Sequence, residues 1–223
     1  MGSERDDILI GFESSGGKAS VAISRGRALL ARHEKVARHG HATWMLTLAR
    51  DALAEAGLQP EDCTAVVAGR GPGSFTGIRV ALAAAKGLGL ALGVPAYGLP
   101  SLEAMAHAAG DGVHPVAALG DSRRGSVFVD CRDPDGQPMA AVQDLAPEAV
   151  ASVLAEAGSS WIITGHIAAV PGLEALSPHA LIADDPDAGH LCGLFDKLAG
   201  ANPADWPLDP LYLSAPLLGP ARA

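Results

Sequence analysis

Short apolar runs alternate with turn residues over the first part of the chain. Three runs rich in strand-forming residues are separated by a Ser-Ser-Gly-Gly segment and by Arg25-Gly26-Arg27. Such punctuation is typical of antiparallel hairpins. The pattern therefore predicts a three-stranded antiparallel meander over residues 8–12, 19–24 and 28–33.

Two longer segments that follow are rich in helix-forming residues. The first spans residues 41–56 and the second spans residues 74–92, and a glycine and then a proline follow each of them. Glycine directly after a helix, with proline shortly beyond it, is a common stop signal. The apolar residues 65–68 between the two predict a buried strand, so the order of elements is β-β-β-α-β-α.

A reduced version of this pattern recurs in the second half. After a helical stretch at residues 101–109, Gly110-Asp111-Gly112 marks a boundary between domains of residues 1–109 and 110–223. The two halves predict a duplicated α/β architecture of βββαβα units, the second one reduced. Beyond the boundary we expect strands at residues 116–119, 126–131, 139–143 and 161–164, helices at 147–157 and 189–199, and an extended tail after Pro203.

Composition and charge exclude several classes of protein. The 223 residues are 48% hydrophobic and 18% charged, the balance of a packed globular chain. A formal charge of -9 argues against a nucleic-acid binder that acts alone, because phosphate neutralisation needs cationic groups. The three cysteines form no CxxC pair, and neither a secretory signal nor a membrane span is indicated. We therefore expect a cytoplasmic protein without a membrane partner.

The glycine-rich segment GRGPGSFTG lies between the predicted strand at residues 65–68 and a predicted helix. Backbone N–H groups at such a place can bind an anion, but neither a P-loop nor a dinucleotide fingerprint is present. The alternative is structural: Gly71, Gly73 and Gly77 allow a tight turn and close packing, while Ser74 caps the helix with its side-chain oxygen. Both interpretations stay open on the residues alone.

This loop and the helix after it carry a long resemblance to a known family. The run GRGPGSFTGIRVALAAAKGLGLALG, which begins at Gly69, resembles the signature of the TsaB (YeaZ) family. Shorter matches lie at Arg38-His39-Gly40-His41, at Gly98-Leu99-Pro100-Ser101-Leu102-Glu103-Ala104, at Asp121-Ser122-Arg123-Arg124 and at Pro210-Leu211-Tyr212-Leu213. The signature loop comprises Gly71, Pro72, Gly73, Ser74, Phe75, Thr76, Gly77 and Arg79.

The resemblance implies both a fold and a function. The family resembles degenerate members of the actin, Hsp70 and sugar-kinase superfamily (ASKHA, RNase H-like). It supplies the non-catalytic partner of TsaD, the enzyme that forms threonylcarbamoyladenosine at position 37 of bacterial tRNA. The implied partners are a TsaD-like protein in a heterodimer, a TsaE-like ATPase, and a second copy of the chain in isolation. Contact with tRNA is implied only through the complex, and no cofactor is implied.

The sequence departs from the family pattern at the end of the first strand. Phe12-Glu13-Ser14 stands where the family usually has Asp-Thr-Ser. In active members of the superfamily an acid here helps to hold a metal-bound nucleotide, and Phe12 cannot replace it. Glu13 is one residue along, so it projects from the opposite face of the strand. Further departures are Ser126, Phe128 and Ser214, where Glu, Tyr and Arg are usual.

A search of the sequence for catalytic groups gives no convincing set. Catalytic zinc needs three convergent ligands, and the nearby His39 and His41 lack an obvious third. Ser74 lacks the G-x-S-x-G context of a nucleophile elbow. The cysteines are expected to be buried and inert, and the acidic turn at residues 184–187 is expected to cap a helix. We therefore expect no catalytic residue, no cofactor site and no metal ligand.

The two helices of the first domain have the composition of an interface. On the second helix, small residues form two lines at intervals of four, one from Ala81 to Gly93 and one from Ala83 to Ala91. A helix that is apolar on most sides is normally covered on most sides, so two such helices could join two helices of a partner. The alternative is an ordinary core. The expected interface residues are Trp44, Met45, Leu48, Ala52, Ala81, Ala85, Gly87 and Gly89.

Three functions from different classes remain. The leading hypothesis is a scaffold subunit that binds and activates a TsaD-like transferase in N6-threonylcarbamoylation of adenosine 37 of tRNA. The second is a free-standing ASKHA-type ATPase or phosphotransferase, against which Phe12 argues. The third is a glycoprotease-like peptidase, against which the missing ligand set argues.

Overall fold

A computed structural model describes residues 7–36, 41–158, 160–198 and 202–213, with the backbone alone for residues 41–43. Within these ranges the chain forms two five-stranded mixed sheets with helices packed on their faces. The sheets are built from the two halves of the sequence in order, and each half is described in turn below.

The first sheet has the strand order β3-β2-β1-β4-β5. Strands β1, β2 and β3 are antiparallel, as the meander predicted, whereas β4 and β5 continue the sheet in parallel to β1. Its elements are β1 (Ile8–Glu13), β2 (Lys18–Arg25), β3 (Ala28–Val36), α1 (His41–Ala56), β4 (Ala65–Gly69), α2 (Phe75–Leu92) and β5 (Ala96–Leu99).

The second sheet repeats this topology with the order β8-β7-β6-β9-β10. Here β6, β7 and β8 are antiparallel and β9 and β10 are parallel to β6, so the predicted duplication of the fold is confirmed. Its elements, with the helix that connects the sheets, are α3 (Ser101–Ala109), β6 (Val116–Asp121), β7 (Val127–Arg132), β8 (Gln143–Leu145), α4 (Pro147–Glu156), β9 (Ile162–Gly165), β10 (Ala180–Ala183) and α5 (Ala188–Lys197).

Alternate residues of the first sheet face two different helical layers. Along β1, Ile10 and Phe12 pack into a core with α1 and α2, while Leu9 packs with α5 on the other face. The second sheet is covered by α4 on one face and by α3 on the other. Because α5 follows the second sheet in sequence but covers the first, the division at residue 110 separates the sheets and not their helices. The domain boundary itself stays a prediction.

The structure adds two strands that the pattern did not predict and shifts a third. Each of the two added strands has only four residues; β5 contains Gly98, and β10 lies at the exposed edge of its sheet. The strand expected at residues 139–143 is observed as β8, Gln143–Leu145. After the single turn Pro203–Asp205, residues 206–213 form no helix or strand and return to the first half, where the Gly98 N–H donates to the Trp206 carbonyl at 2.9 Å.

Candidate functional site

The signature loop packs directly against the turn between β1 and β2. Ser74 caps α2 by accepting the Gly77 N–H at 3.2 Å, which confirms its predicted role. The Ser14 hydroxyl donates to the Gly77 carbonyl at 2.7 Å, and the Ser74 N–H donates to the Ser15 carbonyl at 2.7 Å. A side chain at Gly77 would collide with the Ser14 carbonyl oxygen. The glycines of this loop therefore serve turn geometry and close packing.

Glu13 is fully buried on the face of β1 opposite Phe12. Its carboxylate accepts the Ser15 N–H at 2.6 Å and the Ser101 hydroxyl at 2.6 Å. Ser101 in turn accepts the Gly71 N–H at 3.2 Å, so Glu13 connects the first strand to the signature loop and to α3. Burial raises the pKa of Glu13, and the hydrogen bonds from Ser101 and Ser15 oppose that rise.

Replacing Glu13 by glutamine is expected to remove a pH-dependent loss of stability. Because the pKa of Glu13 is raised on folding, its contribution to stability is complete below the ordinary value of 4.5 and declines as the pH rises through the raised pKa. Between pH 4.5 and the raised pKa of Glu13, the free energy of unfolding of the wild type should therefore fall by about 1.4 kcal/mol per pH unit relative to that of Glu13→Gln. Urea titrations of both proteins across this range measure the loss, and a difference that does not change with pH would contradict it.

The turn between β1 and β2 accepts a carboxylate from the second half of the chain. The Gly17 N–H donates to Asp185 Oδ2 at 2.6 Å, and a side chain at Gly16 would occupy the space of the Asp185 carboxylate. Burial raises the pKa of Asp185, while the Gly17 N–H and the nearby Lys18 and Arg123 act to lower it. Backbone N–H groups and cations of this kind form an anion site. Here the chain's own carboxylate occupies it.

The C-terminal family motif also closes onto the signature loop. The Tyr212 ring stacks on Phe75 with 5.0 Å between centroids, and Arg79 Nε donates to the Tyr212 hydroxyl at 2.8 Å. The Arg79 guanidinium lies 3.8 Å from the Phe75 centroid. Phe75 and Arg79 of the signature thus hold the tail, and the adjoining pocket of about 200 Å³ includes Arg123 and Arg124.

The two lines of small residues on α2 have different environments. Ala81, Ala85 and Gly89 are buried against the sheet, whereas Ala83, Gly87 and Ala91 are exposed. A Cβ at Gly89 would lie 3.0 Å from the Ala96 Cβ, but a Cβ at Gly87 would have no described atom within 4 Å. Of these six residues, only the three of the second line are accessible to another molecule.

This burial corrects the choice of interface residues. Six of the eight predicted residues are buried within the domain itself, so they offer little or no side-chain surface to a partner. Trp44 and Gly87 remain accessible, and Lys35 Nζ lies 3.4 Å from the Trp44 ring centroid. The interface itself stays a prediction. The six buried residues are Met45, Leu48, Ala52, Ala81, Ala85 and Gly89.

An apolar groove of about 910 Å³ runs between α1 and α2. Ile10, Phe12 and Met45 line it from within the domain, and Leu46 at its edge is 71% exposed. Exposed large apolar side chains beside a groove are typical of a binding surface. We call this surface the docking groove; its accessible walls include Leu46, Arg50, Ala54, Arg79, Ala83, Gly87 and Ala91.

Helix α2 is also the one helix of the described residues that is long and apolar enough to cross a membrane. Its 18 residues have a mean hydropathy of 1.4. A helix that packs on a protein core meets the same criteria, and the line Ala81, Ala85 and Gly89 packs on the first sheet. We interpret α2 as part of the domain.

The remaining candidate residues lie in several places. Residues 38–40 and Ser214 are outside the described residues, so the predictions for His39 and for the tail departure have no structural counterpart. Asp187 is the N-cap of α5 and accepts the Gly189 N–H at 2.7 Å, as predicted for the acidic turn, whereas Asp185 is held by Gly17. Burial raises the pKa of the three cysteines, to about 11 for Cys63 and Cys131 and about 12 for Cys192.

Sequence reasoning missed one group of potential metal ligands. Asp111, His114 and His179 approach one another at the surface of the second half, with ligand atoms within 4.8 Å. Asp111 and His114 are close in sequence, which is a signal, but His179 is distant and only the fold brings it near.

Comparison with known proteins identifies relatives over most of the chain. A family model described as TsaD, tRNA N6-adenosine threonylcarbamoyltransferase, matches residues 33–168. An uncharacterised protein of Mycobacterium tuberculosis is 32% identical over 93% of this chain and 92% of its own length. The tRNA threonylcarbamoyladenosine biosynthesis protein TsaB of Escherichia coli is 30% identical over 70% of both chains.

Solved structures agree with the sequence relatives and with the predicted fold class. YeaZ from Pseudomonas aeruginosa has a TM-score of 0.75 and 31% identity, covering 93% of this chain and all of that one. Component A of the (R)-2-hydroxyglutaryl-CoA dehydratase of Acidaminococcus fermentans has a TM-score of 0.55 at 14% identity, covering 87% of this chain, which concerns the fold alone. The duplicated ASKHA-type α/β fold is therefore confirmed. Since a family model matches more than half of the sequence and relatives named TsaB and YeaZ align with most of it, the chain belongs to the TsaB (YeaZ) family of tRNA threonylcarbamoyladenosine biosynthesis proteins.

Proposed function

We propose that this protein is a non-catalytic subunit that binds a TsaD-like transferase through the docking groove. In this role it stabilises the active conformation of the transferase, which transfers threonylcarbamoyl to adenosine 37 of tRNA. The observation that carries the proposal is the apolar groove between α1 and α2, whose exposed walls are lined by small and apolar residues. Membership of a family named for this biosynthesis supports the choice of partner.

The shape of the groove fits helices of a partner protein. The line Ala83, Gly87 and Ala91 leaves the backbone of α2 open to close approach, while Leu46 offers an apolar side chain from α1. Small residues that allow close approach and larger ones that fill gaps are the features of helix-to-helix packing. Arg50 and Arg79 also line the groove, so acidic groups beside the partner's apolar helices would complement it.

The residues at the expected nucleotide cleft of the ASKHA fold support a non-catalytic subunit. Phe12 packs into the core with α1 and α2 and offers no carboxylate to a metal-bound nucleotide. Glu13 is engaged by Ser15 and Ser101, and Asp185 already holds the turn between β1 and β2. The free-standing ATPase would need these positions for nucleotide and metal, and the peptidase would need a convergent ligand set in a cleft.

The same proposal assigns the further partners. A TsaE-like ATPase joins the complex, and tRNA is bound only within it, because a net charge of -9 disfavours phosphate binding by this chain alone. In the absence of the transferase, two copies of the chain pair through the docking groove, which hides the same apolar surface. The complex acts in the cytoplasm, where tRNA is modified.

Mixing the chain with the TsaD-like protein of the same organism tests the proposal. We expect a stable heterodimer by size exclusion with light scattering, and modification of tRNA that neither protein supports alone. A TsaD-like protein that neither binds this chain nor gains activity from it would overturn the proposal. A thermal shift with magnesium and ATP on the isolated chain, followed by turnover, would instead favour the free-standing ATPase.

A further inference from the structure

We propose that Asp111, His114 and His179 form a zinc-binding site on the second half of the protein, outside the docking groove. Asp111 follows α3, His114 precedes β6, and His179 precedes β10. The fold thus brings together ligands from two segments that are far apart in the sequence.

The distances between the three side chains are close to those of a metal site. His114 Nδ1 lies 2.7 Å from Asp111 Oδ2, and His179 Nε2 lies 3.9 Å from the same oxygen. Two ligands at about 2.0 Å from zinc are separated by about 3.3 Å in a tetrahedral site. The two observed distances lie on either side of that spacing, so the ligand atoms are near it while the rings still have to reorient.

The two imidazole rings must turn when the ion binds. They are stacked, with 3.8 Å between centroids and 16° between planes, and parallel rings cannot both direct a nitrogen lone pair at one ion. The His114 and His179 side chains are 25% and 49% exposed, so solvent surrounds part of each ring and leaves room for rotation.

The backbone holds the carboxylate in place for this role. Asp111 Oδ1 accepts the N–H groups of Val113 and His114, both at 2.8 Å, which leaves Oδ2 directed at the imidazoles. The His179 N–H donates to the Trp161 carbonyl at 2.8 Å and fixes the second segment. Hydrogen bonds that orient ligands in this way strengthen metal binding.

The chemistry of the ligands selects the ion. Two imidazole nitrogens and one carboxylate oxygen suit zinc and related divalent transition metals, whereas magnesium and calcium prefer sites made of oxygen. Three protein ligands leave a fourth position to water. The bound ion would tie the loop before β6 to the residue before β10 and stabilise the second half of the fold.

Zinc titration of the tag-free full chain by calorimetry tests the site. We expect one ion per chain, a rise in Tm of about 5 °C at saturation, and, with cobalt as a probe, the absorption bands of a tetrahedral ion. Asp111→Asn, His114→Ala and His179→Ala should each weaken binding about tenfold or more. Because Asp111→Asn keeps an oxygen for the Val113 and His114 N–H groups, its loss of zinc is not a loss of fold.

Matched controls come from the other histidines. Removing His39 and His41 together, or His33, which lies 2.8 Å from Glu55 at the surface, should leave zinc binding unchanged. The proposal is overturned if the wild type shows no saturable binding, or if binding persists unchanged in His179→Ala. Cooperative unfolding of every variant, followed by circular dichroism, confirms that the folds being compared are the same.

Discussion

Replacement of Gly87 by leucine should abolish most of the affinity for a TsaD-like partner and leave the fold intact. Gly87 lies on the exposed line of α2 within the docking groove, and a Cβ there would meet no described atom within 4 Å. Leucine is favoured over glycine in a helix by up to about 1 kcal/mol, so the isolated chain should become slightly more stable. In the complex, the same side chain would fill the space of a partner helix. The expected loss of binding is about 2 kcal/mol or more, as for the central residues of other interfaces.

Gly193 provides a matched control for this substitution. It is also a helical glycine, on α5, it is exposed, and a Cβ there would meet no described atom within 4 Å. Gly193→Leu adds the same side chain to a helix outside the docking groove and should leave the dissociation constant unchanged. Calorimetric titration of the transferase with both variants measures the difference. Equal affinities for Gly87→Leu and the wild type would show that the partner binds another surface.

Gly89→Leu distinguishes an interface effect from a folding effect. The sequence pattern treats Gly87 and Gly89 alike, but a Cβ at Gly89 would lie 3.0 Å from the Ala96 Cβ and 3.2 Å from the Val94 carbonyl oxygen. Leucine there should destabilise the first domain before it affects a partner. The two neighbouring glycines should therefore give opposite changes in the free energy of unfolding.

Local patterns predicted most elements of this fold. The helix His41–Ala56 was predicted with these bounds, and the cap and stop signals of α2 were predicted to within a residue. These features depend on neighbours in sequence, so they can be recognised without the tertiary structure. Strands β5 and β10 escaped because each has only four residues at an edge of its sheet, too few for a clear strand pattern in the sequence.

The face of α2 that packs on the sheet could have been predicted more closely. Ile78, Ala81, Leu82 and Ala85 follow the spacing of one helical face and include the large apolar residues, and all four are buried. The spacing of four residues did not distinguish the buried line of small residues on α2 from the exposed line, because both lines consist of alanine and glycine. The larger neighbours Ile78 and Leu82 were the signal that decided between them.

The hydrogen bonds of Glu13 and Asp185 beside the turn between β1 and β2 could not be predicted from sequence. Glu13 bonds to Ser101, 88 residues away, and Asp185 bonds to Gly17, 168 residues away. No local propensity relates such residues, and an acid in a turn before a helix is equally compatible with a cap. Asp187 does cap α5, so only the tertiary structure separates the roles of Asp185 and Asp187.

Two alanine substitutions on α2 should change stability in opposite directions. At Gly77 the new Cβ would collide with the Ser14 carbonyl oxygen and would lie 2.8 Å from the Ser14 carbonyl carbon. Backbone atoms cannot move aside as the end of a side chain can, and the Ser14 hydroxyl bond to the Gly77 carbonyl holds the two segments together. We expect Gly77→Ala to cost about 3 kcal/mol, the upper range for overpacking.

Gly87→Ala is the counterpart in the same helix, with no described atom near the added methyl group. Removing the glycine should stabilise the chain by about 1 kcal/mol, because alanine loses less backbone entropy on forming a helix. The free energies of unfolding of the two variants, measured in urea beside the wild type, should therefore differ by about 4 kcal/mol. If Gly77→Ala were as stable as the wild type, α2 would not approach the turn between β1 and β2 as closely as the structure indicates. The glycine at position 77 would then have to be explained by binding at the signature loop or the docking groove, and not by packing within the chain.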